Sequence, residues 1–262
     1  MDKKLIIDNP RVSNIVFYPR KIAIPKDLNP NTDILRLNIG NDVEIGGFFY
    51  KNDVKNPTIL LFHGNGEIAL DYRYIAPLFS EINVNLAVVD FRGYGFSSGE
   101  PYYTSLISDA MPIYTVFKEW MSQNGLINSL FILGRSLGSV CAAEIGSHNP
   151  DDLCGTIFES GFASVYNMMI NLFRISSPHL TSDSLEEYSN DTRVKKFKKA
   201  TLIIHGTTDW IIPHTEAEML YKNLPNDIDK KIILIEGAGH NTILSFKEEY
   251  FEPISDFILK YK

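Results

Sequence analysis

Short apolar runs recur along the 262-residue chain, and most are followed by a turn and then by a longer amphipathic stretch. Solidly apolar short runs are typical of strands that are covered on both faces of a parallel sheet. The pattern therefore predicts a series of strands, most of them buried. The predicted strands are Ile34–Ile39, Val43–Tyr50, Thr58–Phe62, Leu86–Val89, Leu130–Leu133, Gly155–Phe158, Thr201–Ile204 and Lys231–Ile235.

Longer stretches with apolar residues at helical spacing separate most of these strands. The predicted helices are Ile68–Ser80, Ser105–Asn124, Leu137–Ser147, His214–Asn223 and Phe246–Tyr261. The first two strands are joined through Gly40-Asn41-Asp42, which is typical of a hairpin. An antiparallel start followed by alternating strands and helices predicts an α/β domain, with a mostly parallel eight-stranded sheet and helices on both faces.

One interval interrupts the alternation of strands and helices. Residues 161–198, between the sixth and seventh strands, are too long for a simple crossover. They begin with the apolar stretch GFASVYNMMINLF and end with the charged stretch SLEEYSNDTRVKKFKK. We therefore expect one domain over residues 1–262, with residues 161–198 inserted as a small helical cap.

Composition narrows the class of protein. Apolar residues make up 44% and charged residues 22%, as in ordinary globular proteins, and the net charge of −7 disfavours binding to nucleic acid or an anionic membrane. The N-terminal MDKKLIIDNP has too short an apolar run for a signal peptide, and no run approaches a membrane span. Cys141 and Cys154 do not form a disulfide framework. We expect a cytoplasmic protein without a stable membrane anchor; the composition does not select an oligomeric state.

The fifth predicted strand runs into the stretch Gly-Arg-Ser-Leu-Gly. Here Ser136 lies between Gly134 and Gly138, where the strand becomes a helix. Small residues on both sides relieve the crowding of a tight strand-to-helix turn, and the helix N-terminus then lies beneath the serine oxygen. A serine hydroxyl alone is a weak nucleophile, so this interpretation requires a base and an acid elsewhere in the chain.

Two other strand ends supply a base and an acid. Asp209 follows the seventh strand in LIIHGTTDWIIP, and His240 follows the eighth in ILIEGAGHNTIL. Ligands of open α/β sheets bind beyond the carboxyl ends of the strands, so these positions are candidates for chemistry. Taken alone, Asp209 also fits a solvated turn and His240 a surface loop. The order Ser136, Asp209, His240 favours a catalytic triad.

The third strand is followed by the glycine-rich turn His63-Gly64-Asn65-Gly66. Such a turn can direct backbone N–H groups at a developing oxyanion, and we predict that the donors are the N–H groups of Asn65 and Leu137. On its own, an ordinary glycine-rich turn explains this stretch equally well. We expect no metal and no organic cofactor, because the motifs offer no set of zinc ligands and no phosphate-binding loop.

Taken together, the motifs HGNG, DFRGYGFSSGEP, GRSLGS, HGTTDWIIP and GAGHN resemble those of the α/β-hydrolase superfamily from about Ile34 onward. Within it they are most similar to serine hydrolases related to Bem46 and to the palmitoyl-protein thioesterases of that branch, which shades into prolyl-oligopeptidase-like hydrolases. The N-terminus lacks the cysteine cluster that anchors some of those thioesterases to membranes. The chain also has no region of the size of a β-propeller.

The resemblance implies a serine hydrolase that cleaves carboxylic ester or thioester bonds of small to medium apolar acyl substrates through an acyl-enzyme intermediate. A serine peptidase or amidase of the prolyl-oligopeptidase-like type is one alternative, and a non-catalytic ligand-binding protein of the same fold is another. The apolar start of the predicted cap includes Met168, Leu172 and Phe173. It fits either the wall of a substrate pocket or the buried face of a helix. The candidate substrate contacts are Tyr94, Phe162, Tyr166, Met169 and Trp210.

Overall fold

The computed structural model describes residues 7–127 and 129–262. The expectation about a signal peptide rests partly on residues 1–6, which lie outside the described residues. The described part contains one eight-stranded sheet with the strand order β1-β2-β4-β3-β5-β6-β7-β8. Its strands are β1 (Thr32–Asn38), β2 (Glu44–Tyr50), β3 (Thr58–Phe62), β4 (Asn85–Val89), β5 (Leu130–Arg135), β6 (Leu153–Glu159), β7 (Thr201–Gly206) and β8 (Lys230–Ile235).

The sheet is antiparallel at one edge and parallel elsewhere. Strand β2 pairs antiparallel with both β1 and β4, and all other pairs, from β4 through β3 and β5 to β8, are parallel. Each predicted strand has a counterpart here, so the predicted mostly parallel eight-stranded sheet is confirmed.

The helices differ from the prediction mainly at their beginnings. The predicted helix Ile68–Ser80 is divided into a 3-10 segment, Ala69–Tyr74, and a short α-helix, in whose first turn Pro77 needs no N–H partner. A helix near the N-terminus was not predicted. The α-helices are α1 (Pro10–Val16), α2 (Ala76–Glu81), α3 (Tyr103–Gln123), α4 (Ser139–His148), α5 (Val165–Asn167), α6 (Ser182–Leu185), α7 (Asn190–Val194), α8 (His214–Asn223) and α9 (Lys247–Tyr261).

Apolar side chains cover both faces of the sheet. In the central strand β3, Leu60 and Phe62 belong to the core on one face, whereas Ile59 and Leu61 belong to the core on the other. Because both faces of the central strands are covered, the accessible parts of these strands are their ends. Strands β3, β5, β7 and β8 run parallel, so the loops that follow them meet at the same edge.

Residues 161–198, called the cap segment below, contain α5, α6, α7 and the π-helical turn Met168–Leu172. Several polar contacts join the segment to the domain, among them the following. The Asn190 amide donates to Ser139 Oγ on α4 over 3.1 Å, and the Glu216 carboxylate on α8 accepts the N–H groups of Ala163 and Ser164 over 2.9 Å. No helix in the described part of the chain is both long and apolar enough to cross a bilayer.

Candidate active site

The turn between β5 and α4 holds Ser136 in a left-handed conformation, with φ of 51°. Neighbouring glycines allow the close approach that this turn requires. A Cβ on Gly138 would lie 2.0 Å from the carbonyl oxygen of Phe62, and one on Gly134 would lie 2.7 Å from the Gly138 oxygen. Any larger residue would force β3, β5 and α4 apart. The turn therefore keeps a strained serine at the start of a helix.

The three side chains predicted as a triad meet at this turn. His240 Nε2 lies 3.0 Å from Ser136 Oγ, and His240 Nδ1 lies 2.7 Å from Asp209 Oδ2. All three residues are buried, so water competes little for these hydrogen bonds. The geometry is suited to passing a proton from the serine to the imidazole.

Asp209 is held by a dense set of donors. Its Oδ1 accepts the N–H groups of Ile211 and Ile212 over 2.9 and 2.8 Å, and His205 Nε2 lies 3.3 Å from its Oδ2. Burial raises the pKa of Asp209, but the hydrogen bonds from His205 and His240 outweigh it and hold that pKa well below its usual range. An ionised carboxylate only accepts hydrogen bonds, so Nδ1 of His240 carries the hydrogen and Nε2 is free to accept one.

The loop after β3 is held in place through the side chain of Asn65. Its Oδ1 accepts hydrogen bonds from the Tyr94 hydroxyl over 2.7 Å and from the Tyr18 N–H over 3.1 Å, and its Nδ2 donates to the Val16 carbonyl over 2.5 Å. Among the described residues, none accepts a hydrogen bond from the backbone N–H of Asn65. Asn65 and Leu137 both line the cavity at Ser136, so the arrangement is compatible with an oxyanion hole.

A cavity of about 300 Å³ opens beside Ser136 and His240. Its polar end is formed by Ser136, His240 and the Asn65 loop. Its apolar walls come from the cap segment and from the loop after β7. The apolar residues are Phe162, Met168, Leu172, Phe173, Ile211 and Ile212. An apolar group bound here would lie next to the serine oxygen.

One of the five predicted substrate contacts, Phe162, lines this cavity. The other four do not line it. Tyr94 is fully buried with its hydroxyl bonded to Asn65, Met169 is fully buried in the core, and Tyr166 is half-buried against that core. Trp210 is 93% exposed, whereas the next two residues, whose N–H groups donate to Asp209, line the cavity.

Four residues of the cavity are among those that the sequence pattern did not single out. Tyr18 reaches it from the N-terminal segment, and Ile211, Ile212 and Asn241 reach it from the loops that carry Asp209 and His240. The run Trp-Ile-Ile beside a candidate catalytic acid was a usable signal for the two isoleucines. Tyr18 lies before the part of the chain that carries the resemblance, and no motif surrounds it.

Solved structures share this fold. The Pyrococcus furiosus esterase Pf2001 superposes with a TM-score of 0.74 over 93% of this chain and 98% of its own, at 16% sequence identity. Est1E from Butyrivibrio proteoclasticus, solved with ferulic acid bound, gives a TM-score of 0.70 over 87% of this chain and 98% of its own, also at 16% identity. Together with the strand order, these neighbours define an α/β-hydrolase fold.

Sequence relatives narrow the class. Protein bem46 of Schizosaccharomyces pombe is 24% identical over 90% of this chain and 80% of its own length. Mouse alpha/beta hydrolase domain-containing protein 17C is 26% identical over 77% of this chain, which spans 59% of that protein. The family model described as serine aminopeptidase, S33, matches residues 54–189. The chain belongs to this family of α/β-hydrolase serine hydrolases, in its Bem46-like branch.

Proposed function

We propose that this hydrolase cleaves carboxylic ester or thioester bonds of small to medium apolar acyl groups, with Ser136 as the nucleophile. The observation that carries the proposal is the hydrogen-bonded series from Asp209 through His240 to Ser136 at the wall of an apolar cavity. A volume of about 300 Å³ is at the lower end of the range for ligand pockets, about 300–1,000 Å³. This size favours a short or medium acyl group over a long lipid chain.

In the acylation step, Ser136 Oγ attacks the carbonyl carbon while His240 Nε2 takes the serine proton. Asp209 stabilises the imidazolium that forms, and the N–H groups of Asn65 and Leu137 bind the oxyanion. The tetrahedral intermediate collapses when the bond to the alcohol or thiol breaks. The leaving group takes the proton from His240, and the acyl group stays on Ser136.

In the deacylation step, water replaces the leaving group. It gives a proton to His240 as its oxygen attacks the acyl carbon, and the same two N–H groups bind the second oxyanion. The bond to Ser136 Oγ then breaks, and His240 returns the proton to the serine. The carboxylic acid leaves, and the triad is restored.

The electrostatics of the cavity favour an acyl ester over a peptide with a free amino terminus. An aminopeptidase needs an anionic group to bind the substrate ammonium. Glu67 is the one carboxylate among the described residues of the cavity wall, and it is bonded to Arg135, to the Tyr72 hydroxyl and to the Gly64 N–H. A carboxylate with these partners has little capacity left for a substrate cation.

The test is hydrolysis of p-nitrophenyl esters from acetate to palmitate, beside an acyl thioester and an aminoacyl p-nitroanilide. We expect the short and medium esters or the thioester to be the better substrates. Ser136→Ala should lower kcat by a factor on the order of 10⁶. Ser147→Ala, on helix α4 that follows the Ser136 turn, has its hydroxyl bonded to the Glu144 carbonyl; it is the matched control and should keep full activity. Undiminished turnover by Ser136→Ala would refute the nucleophile assignment.

A second measurement separates an enzyme from a ligand-binding protein of the same fold. A fluorophosphonate should label the wild-type protein with a stoichiometry of about one, and Ser136→Ala should not be labelled, because only an activated serine reacts. Tight binding of an acyl ester without labelling and without turnover would favour the binding protein.

A further inference from the structure

Arg135, the residue before the candidate nucleophile, is buried and uses all three nitrogens of its guanidinium. Its Nε donates to Glu67 over 2.8 Å, and its Nη2 donates to the Asn241 side chain over 3.1 Å. Its Nη1 donates to Glu159 over 2.5 Å and to the backbone carbonyl of His240 over 3.2 Å. One side chain thus contacts the loop after β3, the end of β6 and the loop after β8.

The partners of Arg135 are themselves held in place. The second carboxylate oxygen of Glu67 accepts the Gly64 N–H over 2.8 Å and the Tyr72 hydroxyl over 2.7 Å. That of Glu159 accepts the Tyr250 hydroxyl over 2.6 Å. The network therefore extends from the guanidinium into the backbone of the loop that carries Asn65. It connects the proposed oxyanion donors on one side with the proposed base on the other.

Arg135 acts from behind the cavity. It does not line the cavity at Ser136, but lines a separate one of about 250 Å³ together with Glu159 and Tyr250. A group in this place does not touch a substrate bound at Ser136. Its influence on the chemistry has to pass through the loops that it holds.

Only a guanidinium satisfies this arrangement. Its planar fork directs several N–H groups along fixed lines, whereas a lysine ammonium has the same charge but not the fork. A lysine at position 135 would keep one cation between the two carboxylates, and it would lose at least part of the set of contacts to His240 and Asn241. The substitution therefore separates the charge of the residue from its geometry.

We propose that Arg135 is a positioning residue for acyl transfer. It holds the Asn65 loop and the His240 loop at the correct positions relative to Ser136. The inference rests on the proposed function. A misplacement of about 1 Å between reacting groups costs a factor on the order of 100 in rate. Loss of the fork should therefore appear in kcat, whereas the substrate cavity and KM stay nearly unchanged.

Arg193 provides a matched control. It is also a buried arginine, and it donates from Nε to Glu144 over 2.7 Å and from Nη1 to the Ser189 carbonyl over 3.2 Å. These partners lie in α4 and at the start of α7, and none of them lines the cavity at Ser136. Arg193→Lys therefore has a comparable cost in folding stability, and it leaves the active-site loops in place.

The experiment compares Tm, kcat and KM for p-nitrophenyl butyrate in Arg135→Lys and Arg193→Lys. We expect both variants to lose a few degrees in Tm, and only Arg135→Lys to lose kcat, by a factor on the order of 100, with KM within about twofold. The same loss of Tm with kcat kept in Arg135→Lys would overturn the proposal. If Arg135→Lys keeps its kcat while Ser136→Ala is inactive, only the role of Arg135 is refuted, and the proposed triad is not.

A double-mutant cycle gives an independent readout. Asn241→Ala removes one contact of the guanidinium at an exposed residue, so this variant should fold normally. We expect it to lower kcat by about tenfold in the wild-type background and to add little in the Arg135→Lys background, since both act through the same contact. Additive losses would overturn the proposal. If Arg135→Lys does not fold, an unchanged kcat in Asn241→Ala overturns it, and a lowered kcat with KM kept supports it.

Discussion

The strand-end loops and the cap segment supply opposite sides of the same cavity, but different physical constraints determine them. At the strand ends, the turn around Ser136 has almost no freedom, because an added Cβ at Gly138 would meet the backbone of β3. The cap segment is made of short helical pieces and one π-helical turn, and it lines the cavity with apolar side chains. Under the proposed function, backbone geometry would therefore constrain the reaction, and side-chain packing would constrain the choice of substrate.

The largest expected effect is a loss of folding stability at the strand-end turn around Ser136. Gly138→Ala places a Cβ about 2.0 Å from the Phe62 oxygen, and we expect a loss of more than about 5 kcal/mol in the free energy of unfolding. Gly239→Ala, in the loop before His240, is the control, because its nearest neighbours would be 3.4 and 3.6 Å away. Its cost should stay within about 1 kcal/mol. Urea unfolding followed by circular dichroism measures both, and equal stabilities would refute the steric argument.

A smaller effect, on the preference for acyl-chain length, is expected in the cap segment. Met168 lines the cavity at Ser136 and also a neighbouring cavity of about 170 Å³, so Met168→Ala should join the two. We expect the ratio of kcat/KM for decanoate over butyrate esters to rise by about tenfold, which corresponds to about 1.4 kcal/mol.

The adjacent methionine is the control for this substitution. Met169 is fully buried in the core and lines neither cavity, so Met169→Ala should lower the free energy of unfolding by about 2–5 kcal/mol. Its preference for acyl-chain length should equal that of the wild type. A change in preference in Met169→Ala, or none in Met168→Ala, would contradict the assignment of the cavity wall.

The smallest expected effect is a dependence of folding stability on pH, which arises from Glu67 in the loop after β3. Burial raises the pKa of Glu67, but Arg135 outweighs it, and the pKa falls from 4.5 to about 2. A carboxyl whose pKa is lower in the folded state than in the unfolded state stabilises the fold at pH values above the unfolded-state pKa. This contribution is lost as the pH falls through the folded-state pKa. The difference in unfolding free energy between wild type and Glu67→Gln should therefore shrink between pH 4.5 and about 2. A constant difference over that range would contradict this account.

The strand ends were predictable because several local signals coincide there. An apolar run, a glycine-rich turn and a chemically competent residue occur together around Ser136, Asp209 and His240. Each signal spans a few residues and reflects backbone sterics that act locally. For the same reason the eight strands and the mostly parallel sheet followed from the pattern, even though several helix boundaries did not.

The cavity walls were less predictable because they depend on contacts between distant segments. The π-helical turn Met168–Leu172 changes the spacing of side chains from the α-helical 3.6 residues, so periodicity does not tell Met168 from Met169. The place of Tyr94 after β4 predicts a substrate contact, but packing buries this residue and its hydroxyl donates to Asn65. Arg135 carries no signal of its own, since its partners lie in three separate parts of the chain.

The proposed base and nucleophile are separated by 104 residues along the chain. At ribosomal rates of about 5–20 residues per second, Ser136 is synthesised roughly 5 to 20 seconds before His240. Throughout that interval the nascent chain holds a serine without the imidazole that would activate it. Under the proposed mechanism, newly made protein would therefore gain its reactivity only once the residues after the last strand, with His240 among them, have been synthesised.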